Sequence, residues 1–267
     1  MMMFDFDNIS AWGPSLSSHL SGLVPPTAGA TILNRQPEYM EDAADILFSD
    51  VCLDRAALVT AISNWIRSQT VAAYHGTRLE DAEIADVKGR GLLALVPIDR
   101  KDHLSRKLVQ HPCWPEAATR LDTVIQEFSG RGRGGKRDGQ THATLSRAGL
   151  VNGFNHYLTH GSEFDQHVAY ALLGDEGKRL LAKYGKPTLI TLAVPGDRAF
   201  EAANPFLLLV KDMPNFVREV IKVWSYWLAY PDFSVAHQRF DCGLMFYRDV
   251  PAEWIFAVEH VDLAVTL

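Results

Sequence analysis

One short run of the sequence carries residues that suit ligand binding at the end of a β-strand. The apolar run 71–74 predicts a strand, and it leads into His75, Gly76, Thr77 and Arg78. An imidazole beside a glycine that lacks a Cβ lets a small ligand contact both the ring and bare backbone. An ordinary turn also accommodates a His-Gly pair, so the interpretation depends on the other motifs.

A second run brings an aromatic ring, a hydroxyl and a carboxylate together. The segment predicts a short strand that carries Tyr157, a turn at Gly161 and Ser162, and then a helix that starts near Glu163. Ser162 would cap this helix, and Glu163 would lie in its first turn, where a negative charge is stabilised. A core tyrosine before a simple helix cap would give the same pattern.

A glycine-rich basic loop partly matches a phosphate-binding loop. Gly130, Gly135 and Lys136 have the required spacing, but Arg137 stands where the motif needs a hydroxyl for Mg²⁺. A flexible, solvated loop is the simpler interpretation. The alternative is that its cations neutralise phosphates of a nucleic acid, and these cations are Arg131, Arg133, Lys136 and Arg137.

Three histidines, His156, His160 and His167, lie near Glu163 and Asp165. A metal site would need them on one face of a helix, yet the chain has no H-E-x-x-H motif, and glycine follows His160. We therefore expect no metal.

Composition narrows the class of protein. The chain has 267 residues, of which 47% are hydrophobic and 22% charged, so it can bury a full core. A net charge of −6 gives no general attraction to nucleic acid or anionic membranes. The three cysteines, Cys52, Cys113 and Cys242, are too scattered for a zinc or disulfide framework. With no signal peptide and no long apolar run, we expect a cytoplasmic protein or a delivered effector.

The predicted elements favour an α+β fold. Helical spacing covers 54–68 and 215–228, and a clear strand covers 188–194. These elements lack the regular alternation of a Rossmann fold. We expect a loop-rich extension over residues 1–45 and a catalytic domain over 46–267. Later strands are expected at 243–247, 254–258 and 261–265.

Taken together, the motifs resemble the His–Tyr–Glu branch of the ADP-ribosyltransferase superfamily, which includes poly-ADP-ribose polymerases, diphtheria-type toxins and tRNA 2′-phosphotransferases. The first motif of that family is a strand that ends in His-Gly-Thr, and here it is His75-Gly76-Thr77. The second motif is a tyrosine on a strand before a serine-containing turn, and Tyr157 and Ser162 match it.

The third motif of the family is a glutamate near a late strand. Glu253 and Glu259 are both candidates for it, and Glu163 is a further carboxylate inside the second motif. The match covers about residues 70–265.

The resemblance implies a split antiparallel β-sheet with helical insertions, and an enzyme that uses NAD as substrate without a metal. It implies that His75 donates to an adenosine ribose hydroxyl and that the backbone of Gly76 holds the nicotinamide amide. Tyr157 would line the nicotinamide pocket, with Phe164 or Tyr170 completing an aromatic wall.

The remaining implied roles concern the ribose and the phosphates. A glutamate would bind the 2′-hydroxyl of the nicotinamide ribose and orient the incoming nucleophile. Arg78 would contact the pyrophosphate by a bidentate bond. Thr77 and Ser162 would complete the NAD-binding residues.

The acceptor of the ADP-ribose would be a protein or a nucleic acid. By analogy with stand-alone bacterial members, the chain would be a toxin or defence effector, with a cognate antitoxin as a further partner. Three alternatives stay open: an NAD glycohydrolase, an RNA 2′-phosphotransferase of the same fold, and a non-catalytic module that binds NAD or ADP-ribose.

Overall fold

A computed structural model describes residues 3–52, 54–130, 137–153, 155–203, 213–238 and 242–263. Contacts between Cα atoms divide the chain into two units. Unit 1 consists of Met1–Ala73, Thr144–Gly149 and Ala193–Leu244. Unit 2 consists of Tyr74–Ala143, Leu150–Leu192 and Met245–Leu267.

The architecture mixes helices and one sheet, which confirms the α+β class. The helices are α1 (Ile9–His19), α2 (Ala28–Asn34), α3 (Met40–Ile46), α4 (Arg55–Arg67), α5 (Asp81–Arg90), α6 (Arg100–Leu108), α7 (Trp114–Ala117), α8 (Leu121–Phe128), α9 (Arg147–Asn152), α10 (His156–His160), α11 (Glu163–Leu173), α12 (Asp175–Leu181), α13 (Gly196–Ala202) and α14 (Asn215–Ala229). The strands are β1 (Thr70–Leu79), β2 (Thr141–Thr144), β3 (Lys186–Pro195), β4 (Gly243–Phe246) and β5 (Ile255–His260).

The sheet places β1 at its centre, in the order β4-β2-β1-β3-β5. Strand β5 pairs antiparallel with β3, and Leu189 lies opposite Glu259. Among the described residues the five strands form one sheet. The central strand carries the His-Gly-Thr motif in its interior, so the prediction that the strand ends at this motif is wrong, because β1 continues to Leu79.

Unit 1 is built around an aromatic cluster. The ring of Phe4 is buried among those of Trp12, Trp65 and Phe216. The centroids of these three rings lie 5.1–5.9 Å from the centroid of Phe4. Aromatic side chains bury large areas and so dominate the stability of a core. The cluster joins the N-terminal residues to α4 and α14.

The expectation of a loop-rich segment over residues 1–45 is wrong, because its described part contains α1, α2 and most of α3. Ile9, Trp12 and Leu16 recur at three- and four-residue intervals and are all buried. This apolar stripe favours a helix in spite of Pro14, which lies inside α1. The boundary after residue 45 stays a prediction.

Unit 2 has its own apolar core, formed where α6, α7, α8, α11 and α12 pack together. Phe164, Val168 and Leu172 lie on one face of α11 and are buried in it. The other members are Leu104, Leu108, Trp114, Ala117, Leu121, Val124, Ile125, Ala169, Leu180 and Leu181. This core fixes the helix that begins at Glu163.

Several sequence predictions are confirmed. Helix α4 and helix α14 match their predicted ranges within one or two residues, and β3 contains the predicted run 188–194. Strands β4 and β5 lie where two late strands were expected. The predicted strand at 261–265 is not found over 261–263, and 264–265 lie outside the described residues.

Within the described part of the chain, no helix combines the length and the apolar character that crossing a membrane requires.

Two glycines at the end of α5 offer a matched test of the fold. Gly91 has φ +84°, and a Cβ there would lie 2.0 Å from the Val250 carbonyl oxygen. We expect Gly91→Ala to lower the free energy of unfolding by about 2–4 kcal/mol. Gly89 lies inside the helix, and a Cβ there would point into open space beside the described residues. There Ala should raise that energy by about 0.5–1 kcal/mol. Equal urea midpoints for the two variants would contradict the conformation assigned to Gly91.

Candidate active site

His75 lies on β1, and its ring is anchored by the neighbouring strand β2. The Nδ1 atom is 2.7 Å from the backbone oxygen of His142. A carbonyl only accepts, so Nδ1 carries the proton and donates. Burial lowers the pKa of His75, although the His142 contact opposes this. At neutral pH the ring is therefore uncharged, with Nε2 as an acceptor.

Gly76 follows on the same strand, where two leucines occupy the space beside its Cα. A Cβ at this position would lie 3.1 Å from Leu150 and 3.2 Å from Leu158. Any larger residue would push these buried side chains aside. The lack of a side chain at Gly76 therefore lets α9 and α10 approach β1.

Tyr157 lies on helix α10 and not on a strand, so this prediction is wrong. Tyr157 and Thr159 favour a strand by propensity. The helix is instead stabilised by its packing in unit 2, where Leu158 is fully buried. The short helix ends at Gly161, whose φ of +83° suits a residue without a Cβ. Tertiary packing thus outweighs local propensity here.

The second motif nevertheless brings the expected groups together. Tyr157 Oη donates to Glu163 Oε2 at 3.0 Å, and Arg137 forms an ion pair with the same oxygen. Burial and the charge of Glu163 raise the pKa of Tyr157, so the phenol keeps its proton and donates. The side chains of Glu163 and Arg137 are 26% and 27% exposed, so a ligand can reach them.

Neutral histidines surround this carboxylate. Burial, with the positive charge of Arg137, lowers the pKa of His142 to about 4. His142 Nε2 is 2.9 Å from Gln140 Oε1. Burial also lowers the pKa of His156, whose ring lies 4.0 Å from the ring of Tyr157. At pH 7 these two histidines are therefore uncharged beside the ion pair of Glu163 and Arg137.

Arg78 holds three backbone groups around the strand that carries His75. Its guanidinium donates to three backbone carbonyls, those of Tyr184 at 2.9 Å, Leu158 at 3.2 Å and Gly185 at 2.7 Å. Because Nε, Nη1 and Nη2 each hold a carbonyl, the side chain joins β1 to α10 and to the loop before β3. These bonds use three of its five N–H groups, and a phosphate contact through the other two stays a prediction.

A buried ion pair fixes the helix that starts at Glu163. Asp165 is 3% exposed and accepts two hydrogen bonds from Arg100 on α6. Burial opposes its ionisation, but the charge and hydrogen bonds of Arg100 outweigh this and lower the pKa of Asp165. His103 Nε2 lies 3.5 Å from the same carboxylate, and burial lowers its pKa to about 3.

The two helices that carry Tyr157 and Glu163 are also tied directly. The buried amide of Gln166, on α11, donates to the carbonyl of Gly161 at 2.8 Å and lies 3.4 Å from that of His156. Sequence reasoning missed this residue, because a glutamine inside an amphipathic helix has the same pattern as a surface residue.

The other candidate glutamates lie elsewhere in unit 2. Glu253 is exposed in a short 3₁₀ turn, Ala252–Trp254, and Glu259 is exposed on the edge strand β5. The carboxylate whose charge acts on His142, His156 and Tyr157 is that of Glu163.

The remaining predicted residues are distributed as follows. Thr77 is half-buried on β1, and Ser162 is the N-cap residue of α11, without a cap bond from its side chain to the described backbone. Phe164 is 3% exposed inside the apolar core, so its ring stabilises the fold. Tyr170 is 52% exposed and contacts Lys178.

Two weaker motifs complete the account. Over the residues that the structure describes, no group of three or more His, Cys, Asp and Glu side chains could hold a metal ion. His167 stacks on Phe128 at 5.6 Å. In the basic loop, Gly130 and Arg137 are described, whereas the predicted phosphate contacts of Arg131, Arg133 and Lys136 lie outside the described residues.

His142 and Arg137 are the residues that sequence reasoning did not place in this site. The run 140–144 has a single apolar residue, so no alternation of apolar and polar residues predicts a strand beside β1. Arg137 was interpreted only as one cation of the basic loop.

Comparison with protein-family models, with curated protein sequences and with solved structures gives no match to this chain.

Removal of the Arg78 side chain tests its role as a clamp. Arg78→Met would leave three carbonyls without these donors, and we expect the free energy of unfolding to fall by about 2–4 kcal/mol. Hydrogen exchange of residues 157–161 should accelerate. Arg179→Met, which removes an exposed arginine of α12, is the control and should change that energy by less than about 0.5 kcal/mol. Equal losses in the two variants would refute the clamp.

The protonation of His75 can be measured by ¹⁵N NMR of the imidazole. We expect a neutral ring at pH 7 with its proton on Nδ1, because burial lowers the pKa and the His142 carbonyl requires a donor. The resonances should not shift between pH 8 and pH 7. A proton on Nε2, or a charged ring at pH 7, would show that the assigned contact is absent.

Proposed function

We propose that this chain is an NAD-dependent ADP-ribosyltransferase whose site consists of His75, Tyr157 and Glu163. The observation that carries the proposal is the bond from Tyr157 Oη to Glu163 Oε2, in the same unit as the His-Gly-Thr strand. It joins an aromatic ring to a partly exposed carboxylate. These are the groups that a nicotinamide ribose requires.

The reaction breaks the bond between C1′ of the ribose and the nicotinamide nitrogen. The electron pair leaves with nicotinamide, which departs as a neutral molecule, and C1′ gains oxocarbenium character. Little acid catalysis is needed, so the protein contributes by orientation and by electrostatic stabilisation. The acceptor then adds to C1′ and loses its proton.

Glu163 suits the central role in this chemistry. Its carboxylate would accept a hydrogen bond from the 2′-hydroxyl of the nicotinamide ribose and place negative charge near the forming cation. Tyr157 donates to it and so fixes its orientation, while the ring of Tyr157 offers a face for nicotinamide. The ion pair with Arg137 offsets part of this charge, whereas the neutral rings of His142 and His156 add no positive charge.

His75 would accept a hydrogen bond from the adenosine ribose, whereas the resemblance implies that it donates one. Because Nδ1 faces the His142 carbonyl, the neutral ring would accept a hydrogen bond from a ribose hydroxyl through Nε2, and would not donate one. The contact between the backbone of Gly76 and the nicotinamide amide rests on the resemblance alone, because Leu150 and Leu158 fill the space beside its Cα.

Substitution of the three glutamates tests which of them acts. We expect Glu163→Gln to lower kcat for nicotinamide release from NAD by about 10²–10³-fold, because the amide removes the charge and keeps the shape. Glu253→Gln and Glu259→Gln should keep near wild-type rates, as measured by chromatography of nicotinamide. If either of these variants is inactive while Glu163→Gln is active, the assignment of Glu163 is wrong.

The acceptor is tested with NAD that carries a radiolabel in its adenylate phosphate, incubated with the protein and a cell lysate. Label on protein or nucleic acid supports a transferase and identifies the acceptor class. Nicotinamide release without labelled macromolecules would instead indicate a glycohydrolase. Activity that requires 2′-phosphorylated RNA would indicate the phosphotransferase, and binding without turnover would indicate a non-catalytic module. A cytoplasmic or effector role and an antitoxin partner stay predictions.

A further inference from the structure

Arg137 is the cation that the fold holds beside the candidate carboxylate. Resting on the proposed function, we infer that Arg137 binds the phosphate attached to the nicotinamide ribose, and so makes a phosphorylated nucleotide the preferred ligand of this site. This role differs from the nucleic-acid contact expected for the basic loop. It also differs from the pyrophosphate contact that the resemblance implies for Arg78.

The backbone of Arg137 is held in place before any ligand binds. Its carbonyl accepts from the Gln140 amide at 3.0 Å, and Asp138 accepts from the Gly130 amide at 2.6 Å. The backbone of Leu95 holds the two residues after Asp138. Its carbonyl accepts from the Gly139 amide at 2.8 Å, and its amide donates to the Gln140 carbonyl at 3.0 Å. The turn that leads into β2 therefore presents Arg137 in a defined position.

The carboxylate and the guanidinium together match two groups on one sugar. Tyr157 and Arg137 both bind Oε2 of Glu163. Because an ionised carboxylate has about four acceptor positions, a ribose hydroxyl can still donate to Glu163. A guanidinium has five N–H donors, so Arg137 can contact Glu163 and a phosphate at once. Hydroxyls and a 5′-phosphate lie on the same ribose in a nicotinamide nucleotide.

The other arginine near His75 has a structural role. The Arg78 guanidinium donates to three backbone carbonyls, one through each nitrogen, which leaves two of its five N–H groups. Arg137, in contrast, is 27% exposed at the side chain and is paired with a carboxylate that is itself 26% exposed. An anion that reaches this pair finds donors without opening the fold.

Isothermal titration with two probes tests the inference, nicotinamide mononucleotide and its phosphate-free form, nicotinamide riboside. We expect the wild-type chain to bind the mononucleotide about 10- to 100-fold more tightly, as charge-assisted hydrogen bonds allow. Arg137→Gln should abolish this ratio by weakening only the mononucleotide, and Arg137→Lys should keep part of it. Arg179→Gln removes an arginine elsewhere in unit 2 and should keep the full ratio. Thermal midpoints establish that each variant is folded.

Two results would overturn the inference alone: equal wild-type affinities for the two probes, or an unchanged ratio in both Arg137 variants. In either case the proposed function would stand, since nicotinamide compounds bind. If the wild-type chain binds neither probe and releases no nicotinamide from NAD, the proposed function fails and the inference fails with it.

Discussion

The candidate site depends on the guanidinium of Arg78, which bonds three backbone carbonyls from two separate parts of unit 2. The strand that carries His75 is thereby joined to Leu158, the neighbour of Tyr157. This clamp acts together with the burial of Leu158 and the bond from Gln166 to Gly161 in holding α10, because an isolated helix of five residues is unstable. The position of Tyr157 is therefore set by contacts with β1 and α11 and not by its own segment alone.

Two ion pairs in unit 2, one buried and one partly exposed, have different roles. The buried pair of Arg100 and Asp165 holds α6 against α11, and burial keeps His103 neutral beside it. Glu163 and Arg137, in contrast, form an ion pair that solvent can reach. Buried ion pairs fix geometry more than they add stability, whereas exposed ones remain able to exchange partners. This contrast separates the residues that hold the fold from those that are available to a ligand.

The sequence predicted regular elements better than it predicted the site. Strong apolar periodicity identified α4 and α14, and a β-branched run identified β3, because in these segments local pattern and burial agree. Tyr157 was assigned to a strand because its neighbours favour one, while Gly161 and long-range packing produce a helix. The contacts of Arg78, and the meeting of Arg137 with Glu163, join residues 26 to 107 positions apart. No local pattern predicts such contacts.

The most direct test of the central claim is a time course of NAD with the purified wild-type chain, followed by proton NMR. We expect the signal of the anomeric proton at the nicotinamide ribose to decline as the resonances of free nicotinamide appear, because the account requires cleavage of that bond. An unchanged NAD spectrum, together with no saturation transfer from protein to NAD, would contradict the account. Tyr157 and Glu163 would then form only a structural hydrogen bond.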